Sequence, residues 1–229
     1  MTVNLNFIIP AKTNSSRVKN KNWRPFAFDR HLVDITLDNI LNCGVDPKNI
    51  FLSCEDPQKE QYCKKRGINF ILRDKYLCDN DLSLQTWMKR ICHQVTDDRD
   101  IAWCQVCDPL FNEYRQCLNL WDEVKQKGHD SLTVCYAHKM YLMDYQSRPI
   151  GWSFGSHHTK SQDLPIFRTM PFTLSVLTRD SVETNGYHVG SFPYWYQSNS
   201  RHIDIDTEED FRLAQIIYTH LNTDFGCNY

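Results

Sequence analysis

No run of apolar residues in this chain of 229 approaches the length of roughly 20 that a bilayer-spanning helix needs. A helical membrane span is excluded on that ground. Met1–Asn6 carries no basic residue and Phe7–Ile9 is too short for a signal core, so the expected compartment is the cytoplasm. Charge imbalance is also missing. Lys and Arg number 26 against 28 Asp and Glu, a net of −2, which argues against a general nucleic-acid binder. A Walker A loop is absent, since neither the paired glycines nor the Gly-Lys-Ser/Thr ending occurs. The 10 cysteines are scattered. Cys104-Gln105-Val106-Cys107 is the one Cys-x-x-Cys, and on a strand residues three apart face opposite sides, so the pair does not close on one metal. Without a signal peptide, free buried thiols are expected, Cys227 included.

What the chain does have is a cationic loop behind a short apolar run. Phe7-Ile8-Ile9, stopped by Pro10, reads as a buried strand. Lys12, Arg17, Lys19, Lys21 and Arg24 follow, interleaved with Ser15, Ser16, Asn20 and Asn22 and with no acid between them. Backbone amides, hydroxyls and cations in one loop suit a ligand with several phosphates. A merely solvated basic loop is the other reading of the same composition.

Further along, apolar periodicity alternates between two kinds. Helical spacing over Arg30–Cys43, ended by Gly44, precedes a strand at Asn49–Cys54. A polar helix over Asp56–Arg66 is closed by Gly67, and Ile68–Leu72 is a third strand. Helices are expected at Leu84–Val95 and Asn112–Lys127, and strands at Asp100–Val106, Ser131–Tyr136 and Leu174–Leu177. Arg179–Asn185 reads as a short helix ended by Gly186. Alternation of this sort predicts an α/β fold with a mostly parallel sheet covered by helices. Between about 138 and 172 the pattern weakens, and hairpins projecting from the sheet are expected, all within a single domain over 1–229. His157-His158 at the tip of this region invites a metal reading, but adjacent strand residues face opposite ways, and a mobile or interfacial loop is expected. Phe192-Pro193-Tyr194-Trp195-Tyr196 reads as core or contact aromatics before ligand platform.

Near the C-terminal end stands His202-Ile203-Asp204-Ile205-Asp206-Thr207-Glu208-Glu209-Asp210-Phe211. On a strand, Ile203 and Ile205 face the core while Asp204 and Asp206 share the other face, about 6–7 Å apart. Two carboxylates there are costly unless a cation joins them, and hard oxygen ligands suit Mg²⁺ or Mn²⁺. Capping acids at a strand-to-helix turn are the alternative. The helix that follows carries Phe211, Ala214, Tyr218 and Leu221 as its buried stripe.

Pro10-Ala11-Lys12 with Ser15, Arg17, Lys21 and Asn22, and the later Asp204-Ile205-Asp206-Thr207-x-x-Asp210-Phe211, together resemble the sugar-acid cytidylyltransferases, the CMP-sialic acid and CMP-Kdo synthetases. The resemblance spans residues 6 to about 220. It implies a three-layer Rossmann-like nucleotidyltransferase fold with a small β element that makes homodimer contacts and covers the acceptor. It also implies CTP as the nucleotide, an acidic acceptor such as a nonulosonic or octulosonic acid, and a place in polysaccharide biosynthesis. Residue by residue, it implies nucleotide binding by Pro10, Ala11, Lys12, Ser15, Arg17, Lys21, Asn22 and Ser83. It gives acceptor contacts to Gln105, Gln162 and Arg168, a metal to Asp204, Asp206 and Asp108, and the catalytic burden to Arg17, Lys21 and Asp206. Ser83 reads equally as a helix N-cap, and Asp108 equally as a turn residue before Pro109. Departures exist. Lys12 stands for the usual arginine, Thr13-Asn14 for a small glycine pair, and Ser161 for the arginine that meets the acceptor's carboxylate. A phosphate or phosphonate acceptor, a metal-dependent nucleotide-sugar glycosyltransferase and a non-catalytic nucleotide module are the competing readings.

Overall fold

The computed structural model describes residues 4–79 and 81–223. Cys227 lies outside them. The first strand, β1 (Leu5–Pro10), shows why a sheet forms at its centre. Phe7 and Ile9 enter one apolar core, while Ile8 enters another on the opposite face. Both faces of the strand are therefore covered, as period-two side-chain alternation in a two-sided sheet requires.

Helix α1 (Leu32–Leu41) connects β1 to β2 (Ile50–Cys54), and α2 (Lys59–Arg66) leads to β3 (Asn69–Leu72). Gly67 ends α2 at φ 70, in the left-handed region where glycine bears no Cβ penalty. Then come α3 (Leu84–Cys92), β4 (Asp100–Cys104), α4 (Tyr114–Gln126), β5 (Ser131–His138), β6 (Phe167–Thr169), β7 (Leu174–Leu177), α5 (Arg179–Asn185), β8 (Pro193–Gln197) and α6 (Glu208–Thr223). The sheet order is β3-β2-β1-β4-β7-β5, with β8 and β6 also on β5. Pairs β1–β2, β1–β4, β2–β3 and β5–β8 are parallel; β7 and β6 run antiparallel to their neighbours. The sheet is thus mostly parallel, with β7 inserted between β4 and β5.

Residues from α1, α4 and α6, among them Leu37, Trp121 and Phe211, fill the larger core. Met88 and Ile91 of α3 and Val182 of α5 close the other face around Trp103. Three layers result, in the Rossmann-like arrangement expected from the sequence. No helix among the described residues is long and apolar enough to cross a membrane. The nine described cysteines are free.

Two expectations need correction. Residues 202–206 join no strand ladder among the described residues; Ile205 N donates to Cys107 O at 3.0 Å, and β4 has already ended at Cys104. Helix α3 stops at Cys92 rather than Val95, where the Arg179 guanidinium takes up the carbonyls of Cys92 and Val95. The region from 139 to 172 does hold a small hairpin, with Met143 bridged to Pro149, and a cluster in which Trp152 meets Tyr141 and Phe154 edge-on.

Candidate active site

A cavity of about 570 Å³ opens beyond the carboxyl ends of β1, β3 and β4, where open α/β sheets carry their ligands. The chain leaving β1 makes one side of it. Ala11 N still pairs with Ser53 O at 2.9 Å, and the loop then swings out. It returns on itself: Asn22 Nδ2 donates to Lys12 O at 2.9 Å, and the buried Trp23 indole donates to Ala11 O at 2.9 Å. Asn20, at φ 52, makes the turn that brings Lys21 round; asparagine tolerates that conformation better than most residues. Pro10, Lys12, Ser15, Arg17, Lys21 and Asn22 all line the cavity. Ala11 is buried beneath it and does not. Arg24 is drawn away, bidentate on Glu208 at 2.7–2.9 Å and stacked over Phe211.

The acidic segment reaches the same place. Lys21 Nζ donates to Ile205 O, and Arg17 Nη1 pairs with Asp206 Oδ2 at 2.7 Å. Ile205 is fully buried and fixes the segment, so that Asp204 and Asp206 flank an anchored residue. Thr207 and Asp210 cap α6 reciprocally: Asp210 N donates to Thr207 Oγ1 at 3.1 Å, and Asp210 Oδ2 accepts from the amides of Asp206 and Thr207. Burial, with Asp206 beside it, holds the Asp204 carboxyl above the usual carboxylate range, against a hydrogen bond from Cys107 and the charges of Lys21 and His202.

Asp108 is engaged on one oxygen only, its Oδ1 having no hydrogen-bond partner among the described residues. It is buried, and its Oδ2 accepts from Tyr136 Oη at 2.8 Å, Thr173 Oγ1 at 3.1 Å and His202 Nδ1 at 3.1 Å. Among the described residues, no group of three or more His, Cys, Asp or Glu side chains is arranged to hold a metal. Ser83 is the N-cap of α3, its Oγ accepting from Thr86 N; Leu82 lines the cavity instead. Gln105 lines the cavity, 3.4 Å from the ring of the buried His188. Gln162 and Arg168 are exposed and line none of it.

The sequence reading missed Arg73 and Trp87. Arg73 follows β3 and is 4% exposed, yet no carboxylate among the described residues pairs with it. Its Nε and Nη2 donate to Ser53 Oγ and Ser53 O at 3.3 and 3.0 Å, and its guanidinium lies 5.4 Å from the Trp87 ring. Both side chains line the cavity. A buried cation without a counter-ion is costly, and points to an absent anionic or carbonyl partner. No motif flagged it. Asn22 repeats the pattern in neutral form, its Oδ1 buried without a partner.

A cationic loop, a cavity at the strand ends and paired acids thus stand together on one α/β sheet. Residues 6–154 match the sequence model of the family described as Cytidylyltransferase, and the chain belongs to that family. N-acylneuraminate cytidylyltransferases of Streptococcus agalactiae serotypes III and Ia are each 22% identical to it over 217 residues, covering 89% of this chain and 51% of the relative. The chain thus spans about half the length of the curated relatives it matches. Among solved structures, CMP:2-keto-3-deoxy-manno-octonic acid synthetase complexed with CTP superposes with a TM-score of 0.64 at 14% identity, covering 95% of this chain and 99% of that one. A structure named for glucose-1-phosphate thymidylyltransferase, from Bacillus anthracis, gives 0.64 at 10% identity, covering 94% of this chain and 95% of that one.

Proposed function

We propose that this chain is a CTP-dependent cytidylyltransferase of the cytoplasm that transfers CMP to an acidic acceptor of the sugar-acid class and releases pyrophosphate. The observation that carries the reading is the meeting of loop and acids: Arg17 with Asp206 at 2.7 Å, and Lys21 on Ile205 O, beside one cavity of about 570 Å³. The names of the similar proteins supply the nucleotide and acceptor class.

Lys12, Ser15, Arg17 and Lys21 bind the triphosphate and balance its charge, as phosphoryl-type transfer requires positioning and neutralisation above covalent chemistry. Lys21 and Arg17 stabilise the departing pyrophosphate. On the base side, Trp87 offers a flat apolar surface and Arg73 two or more donors for the ring carbonyl. Asn22 Oδ1 offers an acceptor for an exocyclic amine, which cytosine has and uracil lacks. Gln105, which lines the cavity, meets the acceptor.

A divalent cation, Mg²⁺ or Mn²⁺, fits Asp204 and Asp206. They are hard oxygen donors, and burial above all, with Asp206 beside it, holds the Asp204 carboxyl up, a cost that a bound cation would offset. Two protein carboxylates, completed by phosphate oxygens and water, are how Mg²⁺ is commonly held in nucleotide sites. When bound, such an ion neutralises phosphate charge and lowers the pKa of an attacking hydroxyl. The arm exposes Met140, Tyr141, Met143, Tyr145, Ile150 and Phe154, an apolar surface that supports homodimer formation.

The test is pyrophosphate release from CTP, with UTP as control, across a panel of nonulosonic and octulosonic acids, with mass spectrometry of the CMP product. Acceptor-dependent release from CTP alone is expected. Transfer from a preformed nucleotide sugar, or no release with any acceptor, would overturn the proposal.

A further inference from the structure

The residue just after β2, Glu55, carries a side chain that the site described above does not use. Glu55 Oε1 accepts three hydrogen bonds from the cationic loop, 41 or 42 residues away in sequence: from Thr13 N at 2.8 Å, Thr13 Oγ1 at 2.6 Å and Asn14 N at 3.2 Å. Thr13 and Asn14 sit between Lys12 and Ser15, both of which line the cavity. Burial pushes the Glu55 carboxyl up, but these donors outweigh it and hold the group below its ordinary range.

We infer that Glu55 is a positioning residue: it pins the Thr13-Asn14 backbone so that Lys12 and Ser15 are preset for a triphosphate. The inference rests on reading this loop as the triphosphate cradle. The physical case is one of ordering. A free loop must give up roughly 1–2 kcal/mol per backbone residue when a ligand fixes it. A loop already fixed by three hydrogen bonds gives up that entropy on folding, and the ligand then binds without it. Thr13 is the residue that makes the hold strong, because its hydroxyl supplies a bond that glycine has no atom to make.

The same short stretch of β2 serves both halves of the cavity. Ser53 O accepts from Ala11 N, and Ser53 also takes the Arg73 guanidinium through Oγ and O. Cys54 O accepts from Arg73 N at 2.9 Å. Glu55 completes the series by holding the loop. Ser53–Glu55 is in this way a three-residue bracket that sets the spacing between the phosphate side and the base side.

A competing effect has the opposite sign. Glu55 is an anion near the place assigned to a triphosphate, and its amide donors are ones that a phosphate oxygen would also take. If repulsion or competition dominates, removing Glu55 tightens binding. If ordering dominates, removal loosens it.

Calorimetric titration with CTP and with CMP separates these. Glu55→Ala is expected to weaken CTP roughly 30-fold or more, the cost of ordering about two backbone residues, and CMP much less. Glu55→Gln keeps an oxygen facing both amides and is expected to bind CTP about as tightly as the unaltered chain. Hydrogen exchange at the Thr13 and Asn14 amides, measured with no nucleotide present, is expected to speed up in Glu55→Ala and not in Glu55→Gln. Unchanged or tighter CTP binding by Glu55→Ala, equal losses for CTP and CMP, or unchanged exchange at both amides would overturn the inference. Failure of the unaltered chain to bind CTP would overturn the functional reading instead, and the exchange rates would still decide whether Glu55 holds the loop.

Discussion

Arg17 Nη1 lies 2.7 Å from Asp206 Oδ2, joining the loop after the first strand to the turn before the last helix. The pair is 68% and 41% exposed, so its contribution to stability is small, about 0–1 kcal/mol. Its significance is positional: charges of both signs stand together with a solvent path to each. Asp206→Asn should therefore leave the melting temperature nearly unchanged and lower turnover by at least about 10²-fold, the scale of losing one preorganised electrostatic group. Turnover close to that of the unaltered chain would remove Asp206 from the chemistry.

Lys21 is held by Ile205 O and lines the cavity. Its ammonium is directed by a carbonyl, with the Asp204 and Asp210 carboxylates in electrostatic reach. Lys21→Ala is expected to lower kcat/KM for CTP by roughly 10²–10³. Steady-state kinetics at saturating acceptor checks this.

Arg73 combines burial with two directed bonds to Ser53 and a Trp87 neighbour. Lysine preserves the charge but not the planar fork. Arg73→Lys should weaken CTP binding roughly 10- to 100-fold, equivalent to about 1.5–3 kcal/mol for a charge-assisted hydrogen bond. Calorimetric titration gives the value directly, and equal binding would exclude a role for the fork in reading the base.

His188 is wholly enclosed, and burial pulls its pKa from 6.5 down to about 3. The folded chain keeps it neutral while the unfolded chain protonates it, so unfolding takes up a proton between those two values. Stability is then full above about pH 6.5 and falls as the pH drops toward 3, by roughly one kcal/mol per pH unit. Urea unfolding at pH 5 and pH 7 should show a steeper acid loss for the unaltered chain than for His188→Gln. Identical slopes would contradict a neutral buried imidazole.

Much of this architecture was legible in the residues. Phe7-Ile8-Ile9 before Pro10, Ile50-Phe51-Leu52, and the mostly apolar Leu174–Leu177 are short runs, and each became a strand. The loop cations and paired acids were legible because each group is contiguous in sequence. What the residues hid depended on distant partners. Arg73 reads as an ordinary charge after a strand until Ser53 is brought beside it. Glu55 reads as a turn acid until the loop folds over it. Strand β8 begins at Pro193 and shows no clean alternation, since its aromatic residues lie along β5 half-exposed. Ser83 was ambiguous locally, and its hydroxyl is engaged by Thr86. His202–Asp206 has strand-like alternation, but its backbone meets a neighbouring segment through Ile205 N on Cys107 O and pairs with no strand among the described residues.

The clasp of Asn22 on Lys12 and of Trp23 on Ala11 makes the intervening segment a ring closed without a covalent bond. A ring of this kind has a neck and a crown with separate tolerances. Variation at the crown, around Ser16, alters what the ring grips while leaving its closure alone. Variation at the neck opens the ring, and every donor on it loses its aim at once.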